Sequence, residues 1–187
     1  AADVLSALGI GLELPIETIE KSLREANVCF LMAPRHHSAM RNVAGPRVEL
    51  APSRTIFNLL GPLTNPAGAE YQLLGTNRIH FAEKLAAALH QLGSRHAYVV
   101  CGNDELDEVS LWGTTTVFEV TSSGVNRHHW NAASFGLQEC RVDELRVTSA
   151  QESAERIRQL LSGTAGPSRD IVIANAAAAL LVAGRET

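Results

Sequence analysis

From Pro15 to Asn27 the apolar positions Ile16, Ile19, Leu23 and Ala26 recur at the spacing of one helical face, with Glu17/Lys21 and Glu20/Arg24 set four apart where side chains can pair. Pro15 suits the first turn of that helix. The run "VCFLM" from Val28 to Met32 is too short for a helix and is bounded by Asn27 and Pro34, so it predicts a buried strand. The same order recurs downstream. Asn77 is positioned to cap a helix that presents Ala82, Leu85, Ala86, Leu89 and Leu92 on one face and ends at Gly93, and "HAYVVCG" follows as a strand. "TTTVFEV" and "GVNRHHW", joined through "TSSG", predict an antiparallel hairpin. Ser149 and Glu152 form a capping-box pattern ahead of a helix with Ala154, Ile157, Leu160 and Leu161 inward, and "GTAGPS" separates it from a last helix. Alternating helices and buried strands predict an α/β fold, with a mostly parallel sheet flanked by helices and a small antiparallel hairpin.

A length of 187 residues, 45% of them hydrophobic, is enough to bury a core and predicts one domain, or one domain with appendages. The formal charge is -4 and no Lys/Arg block occurs, which argues against a long phosphate-backbone contact surface and so against nucleic acid, while leaving room for a compact anionic ligand. The most apolar tract, Ile171 to Gly184, is short and interrupted by Asn175, and predicts a buried helix and no membrane span. Cys29, Cys101 and Cys140 are odd in number and unrelated in spacing, and two lie in strand-like runs where a thiol packs, which predicts a reducing, cytoplasmic setting. The opening "AADVLSALG" has neither an initiator Met nor the basic-then-apolar order of a signal peptide, and reads as part of something longer.

Three segments carry candidate chemistry. "CGNDELDEVS", from Cys101 to Ser110, places four carboxylates directly after a predicted strand, where ligands gather in open α/β sheets. Adjacent carboxylates such as Asp107 and Glu108 repel and are hard oxygen donors suited to magnesium, which takes one or two carboxylates together with substrate phosphates; the competing reading is a solvated acidic loop. Asp104 and Glu105 are assigned to that solvated surface. "TIFNLLGPLTNPAG" is a shaped segment in which Asn58, Thr64 and Asn65 suit either the lining of a small-molecule pocket or a turn-rich connection. In "APRHHSAMRNVAGPRVEL", Arg47 offers a planar fork to a carboxylate or is a solvated surface residue, and the neighbouring His36 and His37 diverge on a helix and make a poor metal pair. His128 and His129 receive no role. No nucleophile elbow, Walker loop, dinucleotide fingerprint or zinc spacing occurs, so covalent catalysis is not favoured.

Taken in order, "ADVLSALG", "FLMAPRHHSAMRNV", "RTIFNLLGPLTNPAGAEYQLLG" and "DELDEVSL" resemble consecutive stretches of the anthranilate phosphoribosyltransferase family, over Ala1 to about Gly184. The resemblance implies a catalytic α/β domain over 1–187, similar in fold to nucleoside phosphorylases, that transfers phosphoribose from phosphoribosyl pyrophosphate to anthranilate and releases pyrophosphate, with Mg2+ on the diphosphate. Asp107 and Glu108 match that family's metal-binding pair. Arg47 matches the arginine that meets the anthranilate carboxylate, His37 and Pro62 match residues near the aromatic ring, and Ala1 matches an edge of the phosphoribosyl pyrophosphate site. No catalytic residue is assigned. The reaction requires mainly placement and charge neutralisation, and the neutral amine of anthranilate needs no strong base. The resemblance also implies a homodimeric parent. It implies too that a helical domain, a glycine-rich phosphate loop and a KHGNR segment lie before Ala1, and further helices after Thr187. "VELAPS", after Arg47, is one residue longer than the family's usual connection. Two alternatives stand beside this reading: a non-enzymatic ligand- or nucleic-acid-binding relative, and a pyrimidine nucleoside phosphorylase-like enzyme.

Overall fold

The computed structural model describes residues 2–32, 44–50, 56–65 and 67–185, with the backbone alone at Ala44, Pro46, Arg47, Phe57 and Asn58. The chain divides into two compact units, Ala1–Pro66 with Val147–Gln159, and Ala67–Arg146 with Leu160–Thr187.

The first unit is helical among its described residues. It holds α1 (Ala2–Ala7), α2 (Ile16–Ala26), α3 (Ala44–Glu49), α4 (Phe57–Leu60) and the 3-10 turn Gly61–Leu63. Of the predicted apolar face of α2, Ile19 is buried, whereas Ile16 and Leu23 are about half exposed. The helix ends where Asn27 turns left-handed at φ 57°, and Arg24 pairs with Glu20 at 3.5 Å. The strand predicted over Val28–Met32 is not formed. No described residue pairs with it and Val28 is 64% exposed; a strand needs a neighbouring ladder to satisfy its backbone groups, which an apolar run cannot supply by itself.

The second unit contains a four-stranded sheet in the order β1 (Tyr71–Gly75), β2 (His96–Gly102), β3 (Thr115–Thr121), β4 (Gly124–Trp130). β1 and β2 are parallel, joined through α5 (Ile79–Gln91), and the remaining two pairs are antiparallel. The α/β class and the hairpin agree with the sequence, but the described sheet is mixed rather than mostly parallel. After β2 the chain returns through the acidic loop directly into an antiparallel strand, with no crossover helix to enforce a parallel one. The hairpin closes tightly, with Thr121 paired to Gly124, whose φ of 144° favours glycine.

Period-two alternation sends Tyr98 and Val100 to one face of β2, and Ala97, Val99 and Cys101 to the other. On the first face, Val100, Val117, Val109, Leu111 and Ala132 form the core with Ala174 and Ala178 of α8 (Pro167–Val182), and Leu73, Trp130 and Phe135 pack around them. α5 covers the other, burying Ala82, Leu85, Ala86 and Leu89 as its periodicity predicts. Each such fully buried leucine is worth about 1.5–3 kcal/mol relative to exposure. Leu92, expected on the same face, is 64% exposed because the helix has already ended. Between the hairpin and α8 in the sequence lie a 3-10 turn (Ala132–Phe135), α6 (Val142–Leu145) and α7 (Ala150–Leu161), most of which belongs to the first unit. The predicted cap of α7 is present as a hydrogen bond from the Glu152 amide to Ser149 Oγ at 3.1 Å, with the Glu152 carboxylate accepting from the Thr148 amide at 2.8 Å. Among the described residues no helix is long and apolar enough to cross a membrane.

Candidate functional site

The acidic loop runs from the end of β2 to the start of β3, and its backbone is fixed at almost every residue. The Gly102 amide donates to the Leu106 carbonyl and the Leu106 amide to the Gly102 carbonyl, both at 2.8 Å, closing a small bridge that continues β2. Asn103 turns left-handed, φ 53°, and its side chain acts as a hub: Nδ2 donates to Ser110 Oγ at 3.0 Å and to the Trp112 carbonyl at 2.7 Å, while Oδ1 accepts from the Thr114 amide at 2.8 Å. A Cβ at Gly113, where φ is 62°, would overlap that Oδ1, so the hub requires glycine there. Ser110 is fully buried, its amide donating to Thr115 Oγ1 at 2.9 Å and its hydroxyl to the Trp112 carbonyl at 2.7 Å.

Asp104 and Glu105, assigned to solvated surface from the sequence, have structural work instead. Asp104 Oδ1 accepts from the Ile79 amide at 2.7 Å, capping the start of α5 where Asn77 was expected to act, and its own carbonyl accepts from the Arg78 guanidinium. A carboxylate at that end satisfies an orphan amide and complements the helix dipole. Glu105 Oε1 accepts from the Trp112 indole at 3.3 Å. Neither role has a local sequence signal, since the partners lie 25 and 7 residues away. Cys101 is fully buried, and that burial pushes its thiol up, in keeping with a packing role.

Asp107 and Glu108 differ from these two. Two neighbouring elements meet the chain at this point. Gly75, the last residue of β1, lets the Asp107 carbonyl approach so closely that a Cβ would overlap it, and the Val109 amide donates to Asn175 Oδ1 at 2.9 Å. The side chains themselves take no hydrogen bond or cation from the described residues. Loss of water around the Glu108 carboxyl, and then the adjacent Asp107 charge, push Glu108 above the usual carboxylate range. Among the described residues no group of three or more His, Cys, Asp and Glu is placed to hold a metal. The pair is therefore a two-carboxylate donor set, which fits a magnesium ion whose remaining positions are filled by water and phosphate oxygens.

The other predicted site residues fall in the first unit or outside the described residues. Arg47 lies in α3, its side chain outside the description; His37 and Ala1 lie outside it altogether. Pro62 opens the 3-10 turn Gly61–Leu63, and the Thr64 hydroxyl folds back to the Leu60 and Gly61 carbonyls, both at 3.2 Å, which is the turn-shaping behaviour of such a segment. His128, left without a role, donates Nε2 to Glu119 Oε2 at 2.9 Å, and His96 donates Nε2 to Glu119 Oε1 at 3.0 Å.

The model of the glycosyl transferase family, a/b domain, matches residues 1–187. The chain belongs to this family. It is 48% identical over 185 residues to the anthranilate phosphoribosyltransferase of Pelobacter propionicus, covering 99% of this chain and 53% of that protein, and 44% identical over 185 residues to the enzyme of Rhodopseudomonas palustris, covering 99% and 54%. Among solved structures, anthranilate phosphoribosyltransferase from Thermus thermophilus superposes with a TM-score of 0.89 at 39% identity, covering 99% of this chain and 54% of that one. The Saccharomyces cerevisiae enzyme in complex with PRPP and Mg superposes with a TM-score of 0.84 at 27% identity, again over 99% and 54%. The chain thus spans about half the length of the relatives it matches. These likenesses agree with the resemblance and the α/β fold expected from the sequence, and the Saccharomyces cerevisiae enzyme holds magnesium in two of its structures.

Proposed function

We propose that this chain supplies part of the catalytic α/β domain of an anthranilate phosphoribosyltransferase, which joins phosphoribose from phosphoribosyl pyrophosphate to the amino group of anthranilate and releases pyrophosphate. One observation carries the reading: two consecutive carboxylates, Asp107 and Glu108, stand in the loop between β2 and β3, between a close approach to Gly75 and the hydrogen-bonded Val109, with no described cation to neutralise them. A fold that spends this much order on a repelling pair gains most when a cation joins it, and the relatives' magnesium and PRPP name the partner that chemistry favours.

In this reading Asp107 and Glu108 hold Mg2+, and the ion when bound supplies charge neutralisation at the pyrophosphate. The loop keeps the two carboxylates on one rigid segment, so that positioning is settled before substrate arrives. Arg47 meets the carboxylate of anthranilate, His37 and Pro62 stand beside its ring, and Ala1 borders the phosphoribosyl pyrophosphate. The activity is that of the whole protein, this chain spanning about half the length of the relatives it matches. The active protein is a homodimer in the cytoplasm, with neither nucleic acid nor membrane as partner.

Arg47→Ala tests the acceptor side. Loss of a charge-assisted hydrogen bond, worth about 1.5–3 kcal/mol, should raise the anthranilate KM well above any change in the KM for phosphoribosyl pyrophosphate. Turnover is followed by the loss of anthranilate fluorescence in the full-length protein. Equal effects on the two substrates would remove Arg47 from the acceptor site, and no turnover by the wild type would remove the proposed activity.

A further inference from the structure

We propose that Asn175 positions the Asp107–Glu108 pair for its cation, by holding the next residue, Val109, through both of its backbone groups; the inference rests on the reading of that pair as a magnesium site. Asn175 lies in the middle of α8, in a stretch that is otherwise apolar, between the fully buried Ala174 and Ala178. An amide there is disfavoured unless it is hydrogen-bonded, and this one is bonded through both its oxygen and its nitrogen. Oδ1 accepts from the Val109 amide at 2.9 Å, and Nδ2 donates to the Val109 carbonyl at 3.1 Å and to the Ile171 carbonyl of its own helix at 2.9 Å.

The two bonds to Val109 reproduce what a neighbouring strand would give that residue. The bond to Ile171 fixes which end of the amide is oxygen and which is nitrogen, because only the nitrogen can donate to two carbonyls. The clamp sits directly after Glu108, while Gly75 admits the Asp107 carbonyl on the other side. Glu108 therefore lies between two placed points of the chain, the Asp107 carbonyl close against β1 and Val109 hydrogen-bonded to α8. Val109 itself is completely buried in the core shared with α8. With the backbone held there, the carboxylates have only their own side-chain torsions left to lose when a cation binds.

Apolar packing of Val109 would hold the loop against the sheet without an asparagine. What the amide adds is direction: it fixes rotation of the peptide groups about Val109, and with it the direction in which Glu108 leaves the backbone. Asn175 is thus a positioning residue acting through Val109, with no contact of its own to substrate.

The test compares Asn175→Ala with Val182→Ala, which removes buried volume from the same helix away from the loop. Mn2+ binding in the presence of pyrophosphate is measured by electron paramagnetic resonance on the full-length protein, alongside thermal stability and hydrogen exchange at the Val109 amide. Asn175→Ala should weaken Mn2+ binding about 10-fold, the lower end of what loss of an outer-shell partner costs, and should speed exchange at Val109. Val182→Ala should lower the melting temperature yet leave the Mn2+ affinity in place. Unchanged affinity in Asn175→Ala would overturn the positioning role alone, as would an equal weakening in Val182→Ala, which would reduce the effect to helix stability. Failure of the wild-type protein to bind Mn2+ with pyrophosphate would instead overturn the magnesium reading, and the positioning role with it.

Discussion

Glu119 and the Asp107–Glu108 pair lie in the same unit and are treated in opposite ways. Glu119, on β3, is about three-quarters buried and receives the Nε2 of His96 on one oxygen and the Nε2 of His128 on the other. Burial by itself would raise its pKa, but the two imidazole hydrogen bonds and their charge outweigh that and hold the carboxyl below its usual range. Glu108 stands on a loop whose hydrogen bonds leave both carboxylates without a partner among the described residues, and its carboxyl is pushed up. The first site is completed by two histidines, whereas the second receives no partner from the described residues. A shifted carboxylate with a protein partner on each oxygen is structural, and one shifted the other way beside a second carboxylate invites a cation.

The largest effect that sharpens this contrast comes from a residue with no charge. Gly75→Ala should destabilise the protein by about 3 kcal/mol, because the new methyl meets backbone rather than a yielding side chain, and should also loosen the acidic loop. Urea denaturation with loop hydrogen exchange checks it; an alanine accepted at no cost would mean that the close approach of Asp107 does not define the loop.

Glu119→Gln should come next, at about 1 kcal/mol, modest because His128 is almost half exposed and its pairing is screened. A carboxyl whose pKa is depressed on folding contributes stability above its unfolded value, about 4.3, and loses it as the pH falls through the lower folded value. The difference between wild type and Glu119→Gln should therefore be full near neutrality and shrink in acid.

Glu108→Gln should be smallest and opposite in sign. A carboxyl whose pKa is raised on folding is at its most favourable when protonated, so its stability contribution declines as the pH rises from about 4.3 through the raised value. Without metal the glutamine variant should be slightly more stable than wild type at neutral pH, by less than about 1 kcal/mol since water reaches the loop, and the gain should vanish in acid. Thermal melts across pH check both carboxylates together. Destabilisation by Glu108→Gln at neutral pH would break the contrast.

Local periodicity made much of the fold legible. The buried face of α5, the hairpin of β3 and β4 and the helix α8 follow from apolar spacing and turn residues, because their determinants lie within a few positions of one another, although α8 is buried only along Ala174, Ala178 and Val182, with Val172 and Leu180 about half exposed. Val28–Met32 misled because an apolar run states hydrophobicity and not whether a partner strand exists. The acidic pair was legible as a motif. Its supports were not: Asn175 bonds across 66 positions and Asp104 across 25, and Gly75 matters only because another segment comes to rest against it. Asn175 did leave one trace, as the polar residue that breaks the apolar tract of α8. A polar side chain in such a place has a partner to be found.

In the proposed reading Asp107 and Glu108 are completed by a cation, whereas Glu119 is already complete. Titration of Mn2+ in the presence of pyrophosphate, followed by electron paramagnetic resonance, tests it on wild type, Asp107→Ala, Glu108→Ala and Glu119→Ala. Each of the two loop substitutions should weaken binding by about 100-fold, since each removes one of the two donors that the described residues offer, and Glu119→Ala should leave it unchanged. Equal affinity in all four proteins would contradict the account and return the acidic loop to solvated surface.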